Sequence, residues 1–228
     1  MARHRSRRYQ EGASKVERTK RYAIDEGIAL IKSLKGPKFD ESVELVVRIG
    51  IDPKKTDQLV RGSVSLPNGT GKTIKIAVFA DGDKAQEALD AGADYVGAAD
   101  LAEKIEKGFT DFDMTIASPD MMRFVGKLGK VLGPQGKMPS PKAGTVTPNV
   151  AQAVREFKAG KIEFRTDSGA NVHCAIGKKS FGAAELAQNL TAFVDHLRTL
   201  RPSQAKGEFI KKVVVSSSMG PGLALAVE

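Results

Sequence analysis

Residues 67–80 read PNGTGKTIKIAVFA. The first half is a loop of proline, asparagine and glycine. The second half, from Ile74 to Ala80, is apolar at every position except Lys75. A short, continuously apolar run bounded by turn residues is the pattern of a strand covered on both faces, as in a parallel sheet flanked by helices. The residues that follow keep this texture. A helical pattern covers Lys84 to Ala91, a short strand Asp94 to Val96, a second helix Leu101 to Lys107 and a third strand Met114 to Ala117. Such alternation with short connections predicts an α/β unit with a parallel sheet. A further helix fits Asn149 to Lys158, with Val150, Val154 and Phe157 on one face.

The flanking segments read differently. Ile24, Ile28 and Ile31 mark a short amphipathic helix. Ser42 to Ile51 alternates, with Val43, Leu45, Val47, Ile49 and Ile51 on one side, as a half-buried strand does. Asp52-Pro53 ends it, and Gln58 to Leu66 reads as its partner strand. Beyond the helix break at Ala159-Gly160, Lys161–Arg165 and Val172–Ile176 predict a hairpin around Asp167-Ser168-Gly169. Ala183 to Leu200 carries an apolar stripe of Leu186, Leu190, Phe193, Val194 and Leu197. A last strand fits Phe209 to Val215, followed by a turn over 216–222. The expected architecture is therefore α/β with two domains joined by a two-strand hinge. Residues 1–67 and 160–228 form a discontinuous α+β domain. Residues 68–159 form an inserted three-layer, Rossmann-like α/β domain.

Charge follows the same division. The chain has 228 residues and a formal charge of +9, with pI near 9.6. The insert holds 12 basic and 12 acidic residues, so the outer pieces carry the whole excess. A basic surface of this size points to a polyanion such as nucleic acid. Trp is absent and aromatics are 6%, which argues against a row of stacked bases as the main grip. The lone Cys174 excludes an intramolecular disulfide and any multi-cysteine metal site. No apolar run reaches membrane-spanning length, and residues 2–22 form a basic arm without a signal-type apolar core.

Enzyme motifs do not survive inspection. Asn68 to Thr73 imitates a phosphate-binding loop, but its first glycine would fall on Leu66, and a strand follows where a helix should open. Asp81-Gly82-Asp83-Lys84 lacks a dinucleotide fingerprint and would repel a pyrophosphate. His173 and Cys174 are neighbours on a strand and face opposite sides, so they cannot share a proton. That leaves Cys174 as a small core residue and His173, on the side of Asn171, as a surface or RNA-facing contact. His4 and His196 have no metal-ligand partners, and Asp111 and Asp113 read as turn and strand-start residues. No catalytic residue, cofactor or metal is expected. Two rival classes are an α/β enzyme for a phosphorylated metabolite and an interaction protein for acidic partners.

Residues 126–146, GKLGKVLGPQGKMPSPKAGTV, combine five glycines, three prolines and four lysines with no acid. They fit neither a regular helix nor a central strand. Bare backbone admits a phosphate chain, and Lys127, Lys130, Lys137 and Lys142 supply charge, although a mobile solvated loop has the same composition. In the outer pieces, Lys161, Glu163 and Arg165 present charge opposite Ile162 and Phe164. The Ser218-Met219-Gly220 turn offers small groups suited to a shallow RNA minor groove.

This stretch, with GKIEFRTD and SSSMGPG after it and FDESVEL, RGSVSLP, AGADYVG and SPDMM before it, resembles the family of the universal large-subunit ribosomal protein number one, in its bacterial form. The likeness runs through nearly the whole chain. It implies a two-domain protein of the cytoplasmic ribosome. The discontinuous domain would bind the 23S rRNA of the mobile stalk in the large ribosomal subunit, and the protein would assist release of deacylated tRNA from the exit site. It also implies repression of the protein's own operon mRNA, no membrane partner, and a monomer when free. Carried over by position, the implied RNA contacts are Lys38, Phe39 and Ser42; Lys161, Glu163, Arg165 and Asp167; and Ser216, Ser218, Met219 and Gly220. Position 218 is Ser where this family usually has Thr, and position 174 is Cys where a small apolar residue is usual.

Overall fold

A computed structural model describes residues 5–227. Ala2 to His4 of the basic arm lie outside the described residues. The chain divides into two compact units, Met1–Gly71 with Phe164–Glu228, and Lys72–Glu163.

In chain order, the first part of the outer unit holds α1 (Arg7–Ser14), α2 (Ile24–Ser33), β1 (Ser42–Ile49) and β2 (Arg61–Ser65). Helix α1 replaces the plain arm expected for this segment. The Ser6 hydroxyl accepts the Tyr9 N–H and starts the helix. Helix α2 carries Asp25 and Glu26 in its first turn and Lys32 in its last, matching the ends of its dipole. It buries Ile28 and Ile31.

The second unit holds β3 (Ile76–Phe79), α3 (Asp83–Asp90), β4 (Tyr95–Gly97), α4 (Ala99–Glu106), β5 (Met114–Ala117), α5 (Met122–Val125), α6 (Gly129–Leu132) and α7 (Val150–Lys158). Its sheet is parallel, in the order β4-β3-β5. All four residues of the central β3 are buried, which is why that strand reads as continuously apolar. On one face, Ala77, Phe79 and Ala117 pack on Leu101 and Ile105 of α4 and on Val125, Leu128 and Leu132. On the other, Ile76, Val78 and Ile116 pack on Ala88 of α3 and on Val150, Val154 and Phe157 of α7. This is the expected three-layer α/β arrangement. After α5, the glycine and lysine stretch enters it as single helical turns, a 3-10 turn at Gly126–Leu128 and α6, with Val125, Leu128 and Leu132 buried. The Asn149 side chain accepts the Gln152 N–H to start α7, and Gly160 at φ 113° follows its end.

The chain continues through β6 (Lys161–Arg165), β7 (Asn171–Lys178), α8 (Ala183–Thr199), β8 (Ile210–Ser217) and β9 (Leu223–Leu225). The outer sheet is antiparallel in the order β7-β1-β8-β9. Two expected pairings change. β2 pairs with β6 and not with β1, and β6 and β7 belong to different sheets, so the predicted hairpin does not form. The bridge of Thr166 to Val172 and the Asp167 N–H, donating to the Asn171 carbonyl at 2.8 Å, link the two segments at the turn. Strand β9 was not foreseen. The stripe of α8 matches its reading: Leu186, Leu190, Phe193, Val194 and Leu197 are all buried. Phe164 meets Phe193 edge-on at 5.2 Å.

The Asn68-to-Thr73 loop is held by α8 and has no free cradle at its start. Asn189, fully buried, accepts the Asn68 N–H through Oδ1 and donates from Nδ2 to the Gly69 and Ile176 carbonyls. Backbone that a phosphate would need is thus already bonded to protein.

Candidate nucleic-acid interface

Alternation along β1 sends Val43, Leu45, Val47 and Ile49 into the core and leaves Glu44 and Arg48 exposed. Register then fixes the open face. Val46 lies between His173 and Val214, and Arg48 lies between Asn171 and Lys212. At the start of β1, Val43 pairs with Ser217, which brings the turn after β8 alongside Ser42.

Two of the three groups of candidates meet there. The Ser218 N–H donates to the Ser42 carbonyl at 3.0 Å, and the Ser42 N–H donates to Ser218 Oγ at 3.2 Å. The antiparallel ladder thus runs one residue past the end of β8 and holds both hydroxyls at one end of the sheet. Ser216 lies opposite Glu44. Phe39 is 57% exposed and Met219 52% exposed, two of the four large apolar side chains left exposed among the described residues. Gly220 is tightly placed: a Cβ there would come within 2.4 Å of Ser217 Oγ and force that hydroxyl to move. Lys38 is exposed beside Phe39. Sequence reading missed Lys178, whose ammonium donates to Ser42 Oγ at 2.9 Å. Its signal was the cross-strand pairing of Ser42 with Lys178, which residue types alone do not reveal.

A second group lies further along the same sheet. Asp167 Oδ1 accepts the N–H groups of Asn171 and Gly169 at 2.7 and 2.8 Å, and Oδ2 lies 3.1 Å from His173 Nε2. These bonds, the Asn171 N–H first among them, hold the Asp167 carboxyl well below the usual carboxylate range. They also shape the turn, in which Ala170 takes φ 60°. Val46, the partner of His173, is four residues from Ser42, so the two groups are about 13 Å apart along the strands. Arg165 is exposed just before this turn. His173 is exposed while Cys174, opposite Leu45, is buried, and burial pushes its thiol far up.

The remaining candidates stand apart. Lys161 forms an ion pair with Glu156 at 2.7 Å and lies over the Phe157 ring. Glu163 is half-buried. Lys127, Lys130 and Lys142 are exposed, but Lys137 is occupied: its ammonium donates to the Thr110 carbonyl at 2.9 Å and sits over Phe112. Asp111 and Asp113 are paired with Lys75 and Lys72. Among the described residues no cluster of His, Cys, Asp or Glu could hold a metal, and no helix is long and apolar enough to cross a membrane.

The edge formed by Ser42, Ser218, Phe39 and Met219 falls within residues 30–221, which match the family model of the ribosomal protein L1p/L10e family. The chain belongs to this family. It is a ribosomal, structural protein and not an enzyme. Relatives include a large ribosomal subunit protein uL1 of Kosmotoga olearia, 54% identical over 97% of this chain and 96% of that one. A large ribosomal subunit protein uL1 of Bordetella pertussis is 56% identical over 94% and 93%.

Proposed function

We propose that this chain is a component of the large ribosomal subunit in the cytoplasm, and that it binds the 23S rRNA of the mobile stalk through the Ser42–Ser218 edge of its outer unit. The observation that carries this reading is the placement of Phe39 and Met219, both exposed, beside two hydroxyls and the bare backbone of Gly220. Such a surface suits the wide, shallow minor groove of RNA, where shape and 2′-hydroxyls are read. Lys38, Lys178 and Arg165 contribute phosphate attraction, which sets position and strength and not sequence. Asp167, Asn171 and His173 extend the contact along the sheet, with Ser216 at its margin, while Lys161 and Glu163 belong to the second unit and would contribute separately. Lys127, Lys130 and Lys142 add a secondary contact by charge. Held on the stalk, the protein assists release of deacylated tRNA from the exit site. A similar RNA fold in its own operon mRNA would compete for the same edge and repress translation.

Protection mapping of 23S rRNA with the purified protein tests this reading. With about six phosphates neutralised, log affinity falls against log salt with a slope of roughly −4 to −5. A slope near zero, or a footprint that leaves the Ser42–Ser218 edge in solvent, rejects it.

A further inference from the structure

Between Phe39 and Ser42 lies an acid that the alternation of β1 turns inward. Glu41 is two residues before Val43 and shares its side of the strand, and it is 2% exposed. A carboxylate removed from water in this way is costly unless charge and hydrogen bonds offset the loss. Its partners come from two other segments. Oε1 accepts the Ser217 hydroxyl at 3.2 Å and the Met219 N–H at 2.9 Å. Oε2 lies 3.5 Å from the Lys179 ammonium, which also donates to the Leu34 carbonyl at 2.5 Å. The Lys179 N–H donates to the Glu41 carbonyl at 2.8 Å. Gly36 leaves room for the group: a Cβ there would come within 2.8 Å of Oε2.

Stability gives little reason for this arrangement. Apolar side chains in place of both members of a buried ion pair are often neutral or favourable, although removing Glu41 alone also takes the anion from Lys179. What an apolar residue cannot do is accept the Met219 N–H and the Ser217 hydroxyl together, and so fix the turn that presents Ser218, Met219 and Gly220. We propose that Glu41 is a positioning residue for RNA recognition: from the core it sets the geometry of the 217–220 turn against Phe39 and Ser42, and touches no RNA itself. This rests on the rRNA-binding reading above.

The test is a double-mutant cycle in the full-length protein, with a 23S rRNA transcript as probe. Glu41→Leu is expected to fold by circular dichroism, with a lower melting temperature because Lys179 loses its anion, and to bind about tenfold more weakly. Its salt slope should match that of the unsubstituted protein, and the Met219 amide should exchange faster with solvent. Met219→Ala alone should also lose about tenfold. Because both changes damage one element, the double variant should bind no more weakly than the worse single variant. Losses that multiply to about a hundredfold, or unchanged affinity in Glu41→Leu while Met219→Ala is impaired, would overturn the positioning role and leave the binding edge standing. Unchanged affinity in Met219→Ala would remove the edge reading, and this proposal with it. If Glu41→Leu does not fold, Ser217→Ala removes one of the ties to the carboxylate. About threefold weaker binding supports the role, and wild-type affinity rejects it.

Discussion

Ser218 serves the backbone and the surface at once. Its N–H and Oγ close the ladder to Ser42, while the residue stays exposed at one end of the sheet. Ser218→Val keeps the N–H bond and removes the oxygen. Specific RNA binding should weaken by about 1–3 kcal/mol in a filter-binding titration, because polar groups on both sides lose a partner. Folding should change little, since water reaches the Ser42 N–H in the free protein. Asp167 makes a different demand. Its carboxyl is held below its unfolded value by the Asn171 and Gly169 N–H groups and by His173. A depressed group contributes stability above the unfolded pKa of about 4, and that contribution is lost as pH falls through the folded value. Asp167→Asn should therefore lower the urea midpoint at pH 7 and flatten the decline on acidification below about pH 4. The side chain is 39% exposed, so solvent screening keeps the effect modest. Equal acid slopes in both proteins would remove Asp167 from this account.

At the scale of elements, α8 acts as the clasp of the outer unit. Its apolar stripe fills the core, and Asn189 ties the loop after β2 to the helix and to β7. Asn189→Ala leaves the Asn68 N–H and two carbonyls without these bonds and should cost about 2–3 kcal/mol in urea unfolding of the outer unit. The sequence makes the elements themselves legible, because burial is periodic: the 3.6-residue stripe of α8 and the two-residue alternation of β1 survive in one dimension. Pairing is not periodic. Gln58 to Leu66 shows that a strand exists but not that β6 is its neighbour, and Asp167-Ser168-Gly169 is a real turn that joins strands of two sheets. Helix α1 escaped notice because it buries only Gly12, and β9 because Leu223–Leu225 is too short for a pattern. In the site, motif resemblance reached Ser42 and Ser218. It could not reach Glu41, because an acid between polar neighbours looks solvated until the strand phase is known, nor Lys178, which only register delivers.

At the scale of the whole molecule, the two units have separate cores and separate charge. The excess of +9 belongs to the outer pieces, while residues 70–120 carry −6 and 121–159 carry +6. Salt should therefore act on RNA affinity mainly through the outer unit, and the slope of log affinity against log salt counts the phosphates neutralised. Two cores also make a single two-state transition the wrong frame for unfolding data. The chain supplies its own means of telling them apart. Cys174 is the molecule's one sulfhydryl, sealed on the inner face of β7 against Leu45, with its ionisation suppressed by burial. An alkylating reagent can consume it only when that strand lifts from its neighbour. The rate of thiol loss in increasing urea then serves as a stopwatch for the outer unit alone, blind to whatever the insert does, with no dye to graft and no competing cysteine to remove.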